Sequence, residues 1–361
     1  MSNLFEPLTL RGLTIPNRVW MAPMCQYSAA GEGPDTGAPN DWHFQHLAAR
    51  AVGGSGLILT EASAVAPEGR ISPYDLGIWN DRQAEAFRRS TGFLTSQGVV
   101  PGIQLAPAGR TAATDAPWSG GSPIDPDDTR AWPVVGPSAL PFSGAHQTPD
   151  ELTTDEIAAI VGQFADAARR ALTAGFKVAE VHGAHGYLIH QFLSPYSNTR
   201  TDSYGGPLEN RMRFALEVVD AVRAVWPEDL PLFFRSSATD WLDEGVAGWT
   251  GDDNVRLAKE LQAHGVDLLD VSTGGNVPDA TIPAAPGFPV PVAAAVREQT
   301  GLATAAVGLI TDPHQAEEVV STGRADAVLL GRQLLRDPYW PRHAAAALGA
   351  TLPSAPQYAR A

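Results

Sequence analysis

The chain is short of three things. Its 361 residues include a single cysteine, Cys25. One thiol forms no internal disulfide and supplies too few sulfurs for a structural zinc or iron–sulfur centre, and it suits a reducing compartment. Positive charge is also scarce: 25 Lys+Arg face 40 Asp+Glu, a net charge of -15. So acidic a chain repels phosphate backbones and anionic headgroups alike, so no nucleic acid and no membrane is expected as a partner. Long apolar runs are missing too, and the opening "MSNLFEPLTL" has no basic patch leading into an apolar stretch. A soluble, cytoplasmic protein is expected. No G-x-G-x-x-G follows a strand pattern, which argues against a Rossmann-type cofactor site.

What the chain does contain is a regular alternation. Short apolar runs of strand length are separated by longer segments of helical period, as in a parallel sheet wrapped by helices. The strand candidates are "RVWMAPM" (18–24), "GLILTEA" (56–62), "VVPGIQLA" (99–106), "KVAEVHGA" (177–184), "PLFFRSSA" (231–238), "VDLLDVSTG" (266–274), "ATAAVGLI" (303–310) and "AVLLGRQ" (327–333). Eight such runs point to an α/β fold, a closed (β/α)8 TIM barrel spanning 1–361 as one domain, more than to an open doubly wound sheet. Before the fourth run, Thr153 and Glu156 have the spacing of a capping box. Ile157, Ile160, Val161, Phe164 and Ala168 then make one stripe, and Gly175 is placed to end the helix. The segment from about Thr111 to Asp150 is rich in Pro, Gly, Ser and Asp and has no period. It predicts an irregular excursion after the third strand, lying over one barrel face.

Barrel enzymes build their sites where the strands end, so those ends are read together. They run "PMCQY", "TEA", "QLAPAGR", "HGAHGY", "RSSA", "STGG", "VGLIT" and "GRQLL". The fourth end places His182, His185, Tyr187 and His190 within nine residues. As metal ligands the histidines would need donors from other strand ends, which offer mainly Arg235, serines, glycines and Arg332. A guanidinium beside a dication is electrostatically wrong, and no metal is expected. As hydrogen-bond donors, His182 and His185 need no further partner and can stabilise negative charge developing on a carbonyl oxygen. The plain alternative, satisfied core histidines, fits a lone residue better than a pair flanking Tyr187, and it is the reading for His190, on the helical side. Gly308 after the seventh strand and Gly331–Arg332 after the eighth match the usual barrel phosphate site, although glycines at strand ends also serve as turn formers.

The stretches "NRVWMAPMCQYS", "LILTEASAV", "GRISPYDLGIW", "GIQLAPAGR", "VHGAHGYLIHQFLSPYSNTRTDSYGGPLENR", "AVGLIT" and "LGRQLLRDP" carry a further reading. With them the chain, over nearly its whole length, resembles the Old Yellow Enzyme family of FMN-dependent ene-reductases, particularly its thermophilic-like bacterial subclass. The resemblance implies noncovalent FMN with its phosphate near Gly308, Gly331 and Arg332. It implies Ala22, Pro23, Met24 and Cys25 along one flavin edge, Ala62 and Gln104 bonding the flavin's polar atoms, and Arg235 facing its N1/O2 side. Cys25 resembles the cysteine that tunes the flavin potential, with a small buried hydrophobe as the alternative. Tyr27, His182 and His185 look like substrate contacts and Tyr187 like the proton donor. The implied reaction is NADPH reduction of the flavin, then hydride from flavin N5 to the β-carbon of an α,β-unsaturated carbonyl compound and a proton from Tyr187. A catalytically silent, or differently reacting, flavin-binding barrel is the rival. The chain departs from the family at Pro107, commonly His, and at Thr111, where the subclass usually has Lys. The tail from about 352 to 361, "LPSAPQYARA", resembles one whose arginine, here Arg360, enters a neighbouring subunit's site, which implies a homodimer or a homotetramer of such dimers.

Overall fold

The computed structural model describes residues 2–358 and 360; Met1, and Ala359 and Ala361 of the expected tail, lie outside the described residues. Each of the eight apolar runs contains a strand: β1 Val19–Met21, β2 Leu57–Ala64, β3 Val100–Ala106, β4 Val178–Gly183, β5 Leu232–Ser237, β6 Leu268–Ser272, β7 Ala303–Ala306 and β8 Ala327–Leu330. Neighbours pair in parallel and in chain order, and β8 returns to β1, so the sheet closes into a barrel. Around it lie α1 Asp41–Val52, α2 Asp81–Ser96, α3 Thr154–Thr173, the short α4 Leu188–Leu193, α5 Leu208–Arg223, α6 Gly251–Ala263, α7 Val290–Thr300 and α8 Pro313–Ser321. After β8 come α9 Arg332–Arg336 and α10 Trp340–Ala347.

The strands read as continuous apolar runs because both of their faces are covered. Leu57, Leu59, Val100, Val178, Phe233, Leu268 and Leu329 point inward, with Trp20 stacked on Phe233 at 5.8 Å between ring centroids. Their alternating neighbours Ile58, Ile103, Val181, Phe234, Leu269 and Val271 belong to the larger core shared with the helices. Most of the observed strands are shorter than the runs, although β2 continues two residues past its run, to Ala64. β7 ends at Ala306 rather than 310, because Gly308 (φ +132°) and Leu309 (φ +49°) turn the chain out of the sheet. An antiparallel hairpin, Leu8–Leu10 with Leu13–Ile15, lies ahead of β1 and places the buried Ile15 in the interior cluster, closing the barrel opposite its mouth.

The excursion leaves β3 through a 3₁₀ turn at Gly109–Thr111, makes another at Pro117–Ser119, and returns by pairing Val135–Gly136 with Asp150–Glu151. Its Ala112, Ala113 and Val134 pack with Ile71 and Ala108 against Cys25, Tyr27, Trp132 and Tyr187, so it covers the mouth. The capping box then starts α3 as expected: Glu156 N–H donates to Thr153 Oγ1 at 3.3 Å and Thr153 N–H to Glu156 Oε2 at 2.8 Å. Ile157, Phe164 and Ala168 are buried on this helix, Ile160 and Val161 half-buried, and Gly175 follows it with φ +96°.

Candidate active site

The end of β1 is built on a buried carboxylate. Ala22 N–H donates to Leu330 O at 3.1 Å, which continues the ladder one residue beyond β1, and the chain then turns through half-buried Pro23, Met24, Cys25, Gln26 and Tyr27, the last at φ +48°. The β2–β3 register slips between Thr60 and Ala62, which sets Ala62 opposite Gln104. Glu61, at that slip, accepts from Gln26 N–H at 2.8 Å and approaches His43 Nε2 at 3.5 Å. Burial raises the Glu61 carboxyl well above its ordinary range, and Asp75 adds to the shift. Asp75 accepts from Ile71 N–H at 2.7 Å and Ser72 Oγ at 2.8 Å, and burial pushes it up to about 6. The Cys25 side chain packs with Tyr27 and lies beside Ala62. Burial first, then Asp75 and Glu61, push the thiol up, so it is held protonated.

The end of β4 carries the imidazoles. His182 Nδ1 accepts from Ala184 N–H at 3.3 Å, which puts the ring proton on Nε2, 3.4 Å from His185 Nδ1. His185 then carries its proton on Nε2, which donates to Ser272 Oγ at 2.6 Å on β6. Both rings are kept neutral, chiefly by burial and further by Arg235. The Tyr187 ring stands edge-on to His182, 5.0 Å between centroids. Burial, then Cys25, Tyr27 and Asp75, raise its phenol well above 10, so the proton stays on oxygen. The loop holding these residues is anchored by Gly186 N–H donating to the buried His190 Nδ1 at 3.0 Å. His190 is thus a structural residue, as its place on the helical side implied.

Below the mouth the barrel interior turns polar. Gln104 Nε2 donates to Glu180 Oε1 at 2.8 Å, and Arg235 Nε sits 2.8 Å from Asp270 Oδ2 without aiming its N–H at it. Across the mouth, Gly331 precedes α9, and a Cβ there would meet only Met24, its sulfur at 3.5 Å. Among the described residues the N–H groups of Gly308, Arg332 and Gln333 donate to no protein acceptor, and the Arg332 side chain is exposed.

Strand ends thus bring together Ala22, Pro23, Met24, Cys25, Tyr27, Ala62, Gln104, His182, His185, Tyr187, Arg235, Gly308, Gly331 and Arg332. Arg360 is not among them. It is exposed at the end of a tail whose residues 351–357 line a groove with Asn17, Gly54, Ser55 and Gln97, at the barrel end opposite the mouth. Sequence reasoning missed Glu61, Asp75, Glu180 and Asp270. Glu180 was detectable: it lies two residues before His182 and so shares its inward face.

A polar barrel mouth, ringed by strand ends with free backbone donors on one side and neutral imidazoles on the other, defines a cofactor-dependent barrel oxidoreductase. The comparisons agree: residues 3–350 match the NADH:flavin oxidoreductase / NADH oxidase family. The chain is 48% identical to an NADPH dehydrogenase of Geobacillus sp. (strain WCH70), covering 99% of this chain and 98% of that protein. It is 44% identical to an NADPH dehydrogenase of Bacillus subtilis (strain 168), over the same shares of 99% and 98%. Among solved structures, morphinone reductase superposes with a TM-score of 0.78 at 30% identity, covering 99% of this chain and 92% of that one. An old yellow enzyme homologue from Zymomonas mobilis gives 0.78 at 26% identity, covering 97% and 94%. The chain belongs to the NADH:flavin oxidoreductase / NADH oxidase family and is an enzyme of the Old Yellow Enzyme type, with FMN as cofactor and a reduced nicotinamide as reductant. The residues present fit that cofactor. The free N–H groups and open space at Gly331, beside Arg332, suit a phosphate, and the sealed Arg235 suits an electron-rich ring edge.

Proposed function

We propose that the protein reduces the C=C bond of α,β-unsaturated carbonyl compounds, with NADPH as the reductant. Bound FMN supplies the hydride. Gly308, Gly331 and Arg332 would hold its phosphate, Ala22 to Cys25 would line its ring, Ala62 and Gln104 would bond its polar atoms, and Arg235 would stabilise negative charge on it. The observation that carries the reading is Tyr187, a phenol that burial keeps protonated beside two neutral imidazoles.

The substrate oxygen accepts from His182 Nε2–H, whose present contact with His185 is a long 3.4 Å and is given up readily. His185 has its own N–H on Ser272, so it orients His182 first and touches substrate second. Drawing charge onto the oxygen makes the β-carbon electrophilic, and Tyr187 then protonates the α-carbon. Tyr27, which borders the same cluster, contacts the substrate ring.

The test is anaerobic NADPH oxidation with cyclohexenone, followed by stopped-flow work on Tyr187→Phe. Flavin reduction by NADPH should be unchanged and reoxidation by enone slowed by roughly 10²-fold or more, the usual weight of a general acid. Equal slowing of both halves removes Tyr187 as the acid. NADPH oxidation that no enone accelerates favours a barrel of different reactivity.

A further inference from the structure

Four inward side chains form a polar layer beneath the mouth: Gln104 on β3, Glu180 on β4, Arg235 on β5 and Asp270 on β6, none more than 4% exposed. The remaining strands line the interior with Trp20, Leu59, Ala305 and Leu329, which carry no charge. The nearest other titratable groups, His182 and His185, are neutral. Two carboxyls therefore share one guanidinium in a sealed space. Ionising both would leave a net negative charge in a medium that cannot solvate it, so the layer retains a proton. The contacts agree: Asp270 Oδ2 lies 2.8 Å from Arg235 Nε, yet among the described residues neither Asp270 oxygen accepts a hydrogen bond, and Glu180 accepts one only at Oε1, from Gln104. Burial raises both carboxyls, and their mutual repulsion raises Glu180 further.

Structural need does not account for this layer, since apolar residues of similar volume pack a barrel interior at least as well. A changing charge next to it does. We infer that Glu180 and Asp270 form a redox-linked proton store, taking up one proton from solvent when the flavin at the mouth gains negative charge and returning it when that charge leaves. The balance is simple. Hydride transfer from nicotinamide breaks a C–H bond, leaves the oxidised nicotinamide, and adds two electrons and one hydrogen to the flavin, which is a gain of one negative charge. One solvent proton on a carboxylate of the pair offsets that charge. When hydride passes on to the acceptor the flavin is oxidised, the charge leaves, and the carboxyl gives its proton back. The inference rests on the flavin occupying the mouth as proposed above. It does not depend on the acceptor being an enone.

The experiment uses the holoprotein and no acceptor substrate, so it can fail without touching the enone assignment. Protons taken up per flavin are counted with an indicator dye in weak buffer during anaerobic photoreduction at neutral pH, and independently from the pH dependence of the midpoint potential. The parent should take up two protons per two electrons, against one in the double variant Glu180→Gln with Asp270→Asn, which leaves no carboxyl in the layer to accept the second. Uptake of one proton by the parent, or of two by the double variant, overturns the proposal. The double variant leaves Arg235 without a counterion in the layer and can fail to fold, so an infrared difference spectrum of the parent provides the second readout. A carboxyl C=O band should appear on reduction; a spectrum with no carboxyl change is decisive against the store.

Discussion

At the scale of single residues the site is governed by desolvation. Cys25, Tyr27 and Tyr187 pack together against the excursion, and each keeps its proton because burial, and after it the nearby Asp75 carboxyl, penalise the anion. Cys25 is therefore a neutral, polarisable thiol at the strand end proposed to line the flavin. Its alkylation by iodoacetamide at pH 8 should be at least about tenfold slower than that of a free thiol, and Asp75→Asn, which removes a carboxylate ionised at that pH, should speed it. Cys25→Ala should keep FMN bound while shifting its midpoint potential. Fast alkylation together with an unmoved potential would return Cys25 to a packing role. The histidine pair and Tyr187 stood out in the sequence because polar residues cluster at one strand end, whereas Cys25 was singled out only through the resemblance to a family. Glu61 and Asp270 did not, because each stands alone inside an apolar run, while Glu180 could have been placed by strand parity from His182.

At the scale of elements, legibility followed burial. Parallel strands covered on both faces appear in sequence as apolar blocks, and all eight were found. Where they stop depends on backbone turns that no periodicity reports, as at Gly308. The hairpin at 8–15 is too short to show a pattern over "LTLRGLTI". The loop after β4 illustrates what such turns do. Gly186 adopts φ +73°, and a Cβ there would lie 2.1 Å from Gly275 O. Gly186→Ala should cost at least about 1 kcal/mol from the backbone alone. Relief of the clash also displaces the neighbouring Tyr187. The expected outcome is a lower melting temperature together with slowed flavin reoxidation. An alanine variant that melts with the parent and turns over normally shows that the loop tolerates another geometry.

At the scale of the whole molecule, two features extend beyond the site. The first is the tail, which runs away from the mouth of its own chain, so any part Arg360 plays in a site requires a second copy. We propose that it plays one, in an isologous dimer that exchanges tails. Deleting the residues after Pro356, and separately Arg360→Ala, should raise the Michaelis constant for cyclohexenone. Both variants matching the parent in that constant and in oligomeric state would end the idea.

The second feature is the pH dependence of stability, which sets buried acids against buried histidines. His43 and His46 are lowered to about 4 and about 3 by burial, and His182 and His185 are lowered as well. The unfolded chain binds their protons below pH 6.5, so these groups make stability rise with pH up to that point and contribute nothing beyond it. The acids act in the opposite sense. Asp75 is raised from 3.8 to about 6, and Glu61 and Glu180 are raised from 4.5, so the folded chain holds protons that the unfolded chain has lost. Their favourable effect is complete below the unfolded values and declines as pH climbs through the folded ones. Between about 4.5 and 6.5 the two sets oppose each other; above 6.5 the acids remain, with the self-repulsion of a chain of net charge -15 added in the same direction. Acids whose values are lowered, such as Asp202 and Glu156, titrate below this range and leave it unaffected. The FMN-free protein should therefore unfold at progressively lower urea between pH 6.5 and 8, and Glu61→Gln should flatten that decline. A urea midpoint that rises across the same interval would mean that the carboxyls under the mouth are ionised in the folded chain, contrary to the electrostatics assigned to them above.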